Sequence, residues 1–143
     1  MKISIVSFQK HRNVELEVAE QEYIKRLSRH AKVELHALKN WDETAGLPEK
    51  FLKGTRLVGL FIDGKMSTSE QLAGQLQQWM NAGTSHIVLV IGAAEGMPAT
   101  VAGQVQERWS LSRLTFSHQL VRLLLLEVLY RSFDILQGGR YHK

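Results

Sequence analysis

Hydrophobic positions follow two rhythms along the chain, and the changes between them divide it into strands and helices. Ile3 to Phe8 is a short apolar run that reads as a first strand. Val14 to Ser28 takes up helical spacing, with Asn13 placed to cap it and Val18, Ala19, Tyr23, Ile24 and Leu27 on one apolar face. Lys32 to Leu38 sets Val33, Leu35 and Ala37 against Lys32, Glu34 and His36, the alternation of a half-buried edge strand. Asn40 to Gly54 is polar and weakly patterned, a loop with one short helix after Pro48. Leu57 to Asp63 is nearly continuously apolar, as expected of a central parallel strand covered on both faces. Ser67-Thr68-Ser69-Glu70 has capping-box spacing, and Leu72, Ala73, Leu76, Trp79 and Met80 recur at helical spacing until Gly83. Ile87 to Ile91 is another buried strand. Pro98 starts a helix running to about Glu107, Arg113 to Phe116 makes a short strand, and a last helix spans about Gln119 to Leu136.

Strands alternating with helices indicate βαβ units, so the expected fold class is α/β, with a mostly parallel sheet and helices on both faces. At 143 residues and 44% hydrophobic content the chain supports one core, and residues 1–143 are expected to form a single domain. In the last helix Leu120, Val121, Leu123, Leu124, Leu125, Leu126, Val128 and Leu129 cover the whole circumference. A helix apolar all round must be covered on several sides, which points to a homodimer with this helix at the two-fold contact. A fully internal helix is the alternative.

Composition narrows the chemistry. The chain has no cysteine, which removes disulfides, thiolate metal sites and cysteine nucleophiles and suits a cytoplasmic protein. The N-terminal apolar stretch is too short for a signal-peptide core, and Leu120 to Leu129, interrupted by Arg122 and Glu127, is too short for a membrane span of about 20 residues. The net charge of +4 arises entirely after position 107, where Arg108, Arg113, Arg122, Arg131, Arg140 and Lys143 face only Glu127 and Asp134. A basic end of this kind fits a polyanionic partner.

Candidate chemistry gathers in the same third of the chain. Gly92-Ala93-Ala94-Glu95-Gly96 directly follows a buried strand, where small side chains let a ligand approach the backbone. It has neither dinucleotide-fingerprint nor P-loop spacing, and Glu95 would repel a pyrophosphate, so a nucleotide ligand without phosphates suits it better. His118 opens the leucine-rich helix with Arg122 four residues on, on the same face. His86, His118 and His142 lack metal-ligand spacing, and no metal is expected.

Five segments together carry a family resemblance: Ile91 to Gly96, Trp109 to Thr115, His118 to Arg122, Leu129-Tyr130-Arg131 and Tyr141-His142-Lys143. In their order and spacing the chain resembles the RlmH-type ribosomal RNA large subunit methyltransferases, a small single-domain branch of the SPOUT superfamily. The resemblance implies methyl transfer from S-adenosyl-L-methionine to N3 of a pseudouridine in the large-subunit ribosomal RNA of the assembled ribosome. It further implies a homodimer and a C-terminal trefoil knot that forms the cofactor pocket, a feature pattern reasoning would not expect, since threaded chains are rare. Carried over by position, the implied cofactor contacts are Leu60, Gly92, Leu111, Ser112, Arg113, Leu114, Thr115 and Phe116. His118, Arg122 and His142 become candidate catalytic residues, and Arg122, Arg131, Tyr141 and His142 candidate RNA contacts. Removing the N3 proton calls for a general base, with His118, His142 and water as the options.

The chain departs from the family pattern in four places. Ala93-Ala94 stands where the family has Gly-Pro, Gln119 follows the motif histidine in place of proline, Arg140 replaces the proline before the terminal Tyr-His, and the region between Leu38 and Leu57 is short. Gly138-Gly139 suggests a flexible tail. A non-catalytic RNA- or ribosome-binding module of the same fold is the rival reading, since it accounts equally for the basic end.

Overall fold

A computed structural model describes all residues, Met1–Lys143. In chain order it runs β1 (Lys2–Phe8), α1 (Val14–Leu27), β2 (Lys32–Leu38), a 3-10 turn (Glu49–Phe51), β3 (Arg56–Met66), α2 (Ser69–Asn81), β4 (His86–Ile91), α3 (Ala99–Gln104), β5 (Glu107–Ser110) and α4 (His118–Leu136). The five strands form one sheet in the order β2-β1-β4-β3-β5, and every pairing is parallel. The expected α/β class is therefore observed. No helix is long and apolar enough to cross a membrane.

β4 occupies the centre of the sheet, and Ile87 to Ile91 are buried on both faces. As the apolar run from Leu57 predicts, β3 is an interior parallel strand, between β4 and β5, although Ile62 further along it is half-exposed. On one face Ile3, Ile5, Ile87 and Leu89 pack against Leu27 of α1, Leu72, Leu76 and Trp79 of α2, and Leu125, Leu126, Leu129 and Phe133 of α4. The opposite face is more thinly covered, Val6, Phe8, Val88 and Val90 meeting Leu47, Phe51 and Val101. β2 is the edge strand its alternation predicted.

Local signals account for most boundaries. Asn13 caps α1, its side chain accepting from the Leu16 N–H at 3.1 Å. The capping box of α2 sits one residue later than expected: Thr68 and Gln71 exchange the two bonds, and the Glu70 carboxylate is engaged elsewhere. The largest correction lies after Pro98. The helix ends at Gln104, and the predicted strand at Arg113 to Phe116 is an exposed loop; the strand is Glu107–Ser110. Gln106 explains the early start of β5, since its backbone N–H donates to the Leu57 carbonyl at 2.8 Å while its side-chain carbonyl accepts the Leu57 N–H at 3.0 Å. With β5 already paired to β3, residues 113–116 have no neighbour to ladder with.

The expected apolar face of α1 is only partly buried. Val14 and Val18 are 67% and 72% exposed, while the charged Glu20 is 1% exposed. On α4 the buried residues are Arg122, Leu125, Leu126, Leu129, Ser132, Phe133 and Asp134, whereas Leu120, Val121, Leu123, Leu124 and Val128 remain partly open. One chain therefore does not cover the apolar circumference of α4 or the exposed valines of α1.

Candidate active site

The middle of β3 and the carboxyl end of β4 open into a cleft of about 780 Å3, within the usual range of about 300–1,000 Å3 for small-molecule sites. Its walls come from Leu60, Phe61 and Ile62 in the middle of β3, just past its last pair with β4, from the glycine loop after β4, and from residues 111–118 leading into α4. Of the expected cofactor positions, Leu60, Gly92, Leu111, Ser112, Leu114, Thr115 and Phe116 line this cleft, as does His118. Arg113 does not; its guanidinium turns back to donate to the Ile62 carbonyl.

The glycine loop is a closed two-bond turn. Ala93 and Gly96 exchange N–H to carbonyl bonds of 3.1 and 2.9 Å, and Gly96 adopts φ +98°, which favours glycine. A Cβ on Gly92 would lie 2.9 Å from the Gly96 carbonyl carbon and oxygen, so the strand exit tolerates no side chain. Trp41 braces the turn from outside, donating from Nε1 to the Gly96 carbonyl at 2.9 Å. Glu43 and Thr44 of the same segment hold the start of α3: Glu43 accepts the Ala99 and Thr100 N–H groups and the Thr44 carbonyl accepts the Thr100 hydroxyl. The polar stretch after Leu38 is thus the outer support of the loop. Trp41→Phe keeps the ring and removes one hydrogen bond worth about 1 kcal/mol, so ligand affinity measured by calorimetry should fall about 5-fold with little loss of helix content.

The opposite wall depends on an irregularity in β3. Leu60 and Lys65 both pair with Trp109, so Phe61 to Gly64 loop out of the ladder. Gly64 makes this possible, because a Cβ there would sit 2.6 Å from the Trp109 carbonyl carbon. The displaced Ile62 carbonyl accepts from Ser110 Oγ at 2.8 Å as well as from Arg113, tying the bulge to residues 110–113. Ser112 Oγ accepts the Leu114 N–H, whereas the N–H groups of Leu111, Arg113, Thr115 and Phe116 make no hydrogen bond within the chain. Free backbone donors beside apolar side chains suit a flat heterocycle, whose edge the amides read and whose faces Leu60, Leu114 and Phe116 cover. No group of three or more His, Asp or Glu side chains is arranged to hold a metal ion.

The remaining expected site residues lie away from the cleft. Arg122 is buried, 8% exposed in its side chain, and grips Glu20 of α1 with bonds of 2.5 and 2.8 Å while reaching Ser7 Oγ at 3.4 Å. Its fork is thus spent on tying α1 to α4. Arg131 pairs with Glu127 one turn back, and that carboxylate also accepts the Tyr141 hydroxyl at 3.0 Å. Arg131 Nη1 donates to His142 Nδ1 at 3.0 Å and His142 Nε2 meets Glu70 at 2.7 Å, so the ring matches the tautomer with its proton on Nε2. Burial first, then Tyr23 and Glu127, pushes the Tyr141 phenol above its ordinary range, leaving it protonated and unsuited to act as a base. The bond from His142 holds Glu70 below the usual carboxylate range.

The glycine pair does not loosen this tail. Gly138, with φ +71°, and Gly139 donate to the Ile135 and Asp134 carbonyls and close α4, and the Asp134 carboxylate then accepts the Tyr141 N–H at 2.9 Å. A Cβ on Gly139 would collide with that carboxylate. Glu127 and Arg131, which hold Tyr141 and His142, follow His118 by nine and thirteen residues, which places the tail about 14 to 20 Å along α4 from His118 of the same protomer at about 1.5 Å per residue.

A family model described as predicted SPOUT methyltransferases matches residues 1–142. The ribosomal RNA large subunit methyltransferase H of Acetivibrio thermocellus is 36% identical over 159 aligned positions, covering all of both chains, and that of Lysinibacillus sphaericus is 35% identical over the same span. The corresponding protein of Desulfotalea psychrophila is 38% identical over 86% of this chain and 87% of its own. The 159 aligned positions outnumber the 143 residues here, so these relatives carry residues that this chain lacks. Among solved structures, a probable methylase family protein from Haemophilus influenzae superposes with a TM-score of 0.60 at 9% identity, over 99% of this chain and 70% of that one, a likeness of fold.

Proposed function

The chain belongs to the SPOUT methyltransferase family, and on that premise we propose that it transfers a methyl group from S-adenosyl-L-methionine to N3 of a pseudouridine in large-subunit ribosomal RNA, acting as a cytoplasmic homodimer on the assembled ribosome. The observation that carries the reading is the cleft between the β3 bulge and the glycine loop. It is apolar, is rimmed by unbonded amides, and is lined by seven of the eight positions that the family pattern assigns to the cofactor.

When bound, S-adenosyl-L-methionine supplies a methyl group made electrophilic by a positively charged sulfur. A cofactor without phosphates matches a loop that carries Glu95 and no basic side chain. Leu60, Leu114 and Phe116 would flank its adenine, the amides around Leu111 and Thr115 would face the base edge, and Gly92 would let it lie against the strand exit. The trefoil knot implied by the family would keep residues 111–118 threaded and rigid around that ring.

Bonding of N3 to the methyl carbon requires the N3 proton to leave, and His118 on the cleft wall is the histidine of the same protomer within reach. Tyr141 and His142 are held on Glu127 and Arg131, about 14 and 20 Å along α4 from His118, so their family role at the substrate would be exercised toward the other protomer of a dimer. The open apolar residues on α4 and α1 give such a dimer its contact surface.

Thermal unfolding with and without S-adenosyl-L-methionine tests the cofactor assignment. At 100 times its dissociation constant a specific ligand adds about 2.7 kcal/mol, a clear upward shift in midpoint. An unchanged midpoint at millimolar cofactor would favour an RNA-binding module without chemistry.

A further inference from the structure

We infer that the paired edge of β3 and β5 beside the cleft grips the phosphate backbone of the target RNA strand through Arg108 and Arg113; this rests on the RNA-methylation reading above. The basic residues that sequence reasoning singled out for this task are occupied, Arg122 by Glu20 and Arg131 by Glu127. Arg108 and Arg113 are exposed and have no carboxylate partner, and the nearby Asp63 on the bulge pairs with neither.

Both guanidiniums are held by neutral groups. Arg108 lies over the Phe61 ring, 3.7 Å from its centroid, and Arg113 is anchored on the Ile62 carbonyl. Such anchors fix a side chain in place while leaving its whole positive charge and its other N–H groups for an anion. Phe61 and Ile62 are themselves part of the cleft wall, so the two charges flank adjacent residues beside the reaction space. Ile62, between the two charges, is half-exposed and adds apolar surface on the same rim. Phosphate contacts of this kind set position and register while the cleft selects the base. A second copy of the chain is a poor occupant, because a two-fold contact here would bring like charges together.

The test is binding to purified bacterial 70S ribosomes at fixed magnesium, with salt varied from about 50 to about 200 mM KCl. Arg108→Gln/Arg113→Gln should weaken binding about ten-fold and flatten the slope of log affinity against log salt by about 0.7 for each arginine. Affinity for S-adenosyl-L-methionine should fall by no more than about 5-fold, the loss of the one hydrogen bond from Arg113 to the Ile62 carbonyl on the cleft wall, and molar mass by light scattering should stay at the parental value. Arg108→Lys/Arg113→Lys should keep the slope, and Lys53→Gln, exposed after the 3-10 turn and outside the cleft lining, should change nothing. A double glutamine variant with the parental slope would overturn this surface while leaving the function intact. A variant with altered mass would make the edge a protein interface instead, and a parent that fails to bind ribosomes would remove the RNA reading and this surface with it.

Discussion

Gly92→Ala is expected to lower affinity for S-adenosyl-L-methionine on the order of 100-fold, about 2.7 kcal/mol. A single methyl group is enough because the added Cβ would stand 2.9 Å from the Gly96 carbonyl and 3.1 Å from the Met97 nitrogen, which are backbone atoms. The turn can yield only by breaking the Ala93–Gly96 bonds or dragging the Trp41 indole off the Gly96 carbonyl. Either movement displaces Ala93, Ala94 and Met97 along one wall of the cleft. The core beneath is untouched, so circular dichroism and molar mass should remain parental while calorimetric binding is lost. Unchanged binding would detach the glycine loop from the cofactor.

Glu20→Ala should be the most destabilising single change, costing about 3–5 kcal/mol and lowering the melting midpoint by roughly 10–15 °C. The substitution strands the Arg122 charge in a site 6% exposed, with only the 3.4 Å contact to Ser7 remaining. Removing both charges as Glu20→Leu/Arg122→Met should recover most of that loss in chemical denaturation, since no lone ion is left buried. If activity recovers with stability, Arg122 acts by tying α1 to α4 one turn below His118. If stability returns and transfer does not, its guanidinium has a second role at the substrate.

The elements most legible in the sequence were those whose signals are local. Asn13 caps its helix, the alternation of Lys32 to Leu38 marks the sheet edge, and the apolar run at Ile87 fixes a buried strand that ends at the glycine loop. The loop from Leu111 to Phe116 was legible only through family resemblance, and reading Arg113 to Phe116 as a strand from its composition was wrong because Gln106 starts β5 earlier. Long-range pairs left no periodic trace. Glu20 and Arg122 are 102 residues apart, and Trp41 reaches Gly96 across 55. Nor does composition announce the bulge at Phe61 to Gly64, which depends on how closely Gly64 meets the Trp109 backbone. Part of the tail network was readable, since Glu127 and Arg131 stand at i and i+4, a spacing that pairs side chains on a helix. That spacing would have warned that Arg131 is already engaged.

The most direct test is methyl incorporation from labelled S-adenosyl-L-methionine into ribosomes that lack the modification, comparing intact particles with naked RNA and mapping the product nucleotide by mass spectrometry. The expected result is incorporation at one pseudouridine of the large-subunit RNA, in assembled particles only. Tight cofactor binding with no incorporation would contradict the substrate, and the absence of both would contradict the methyltransferase itself.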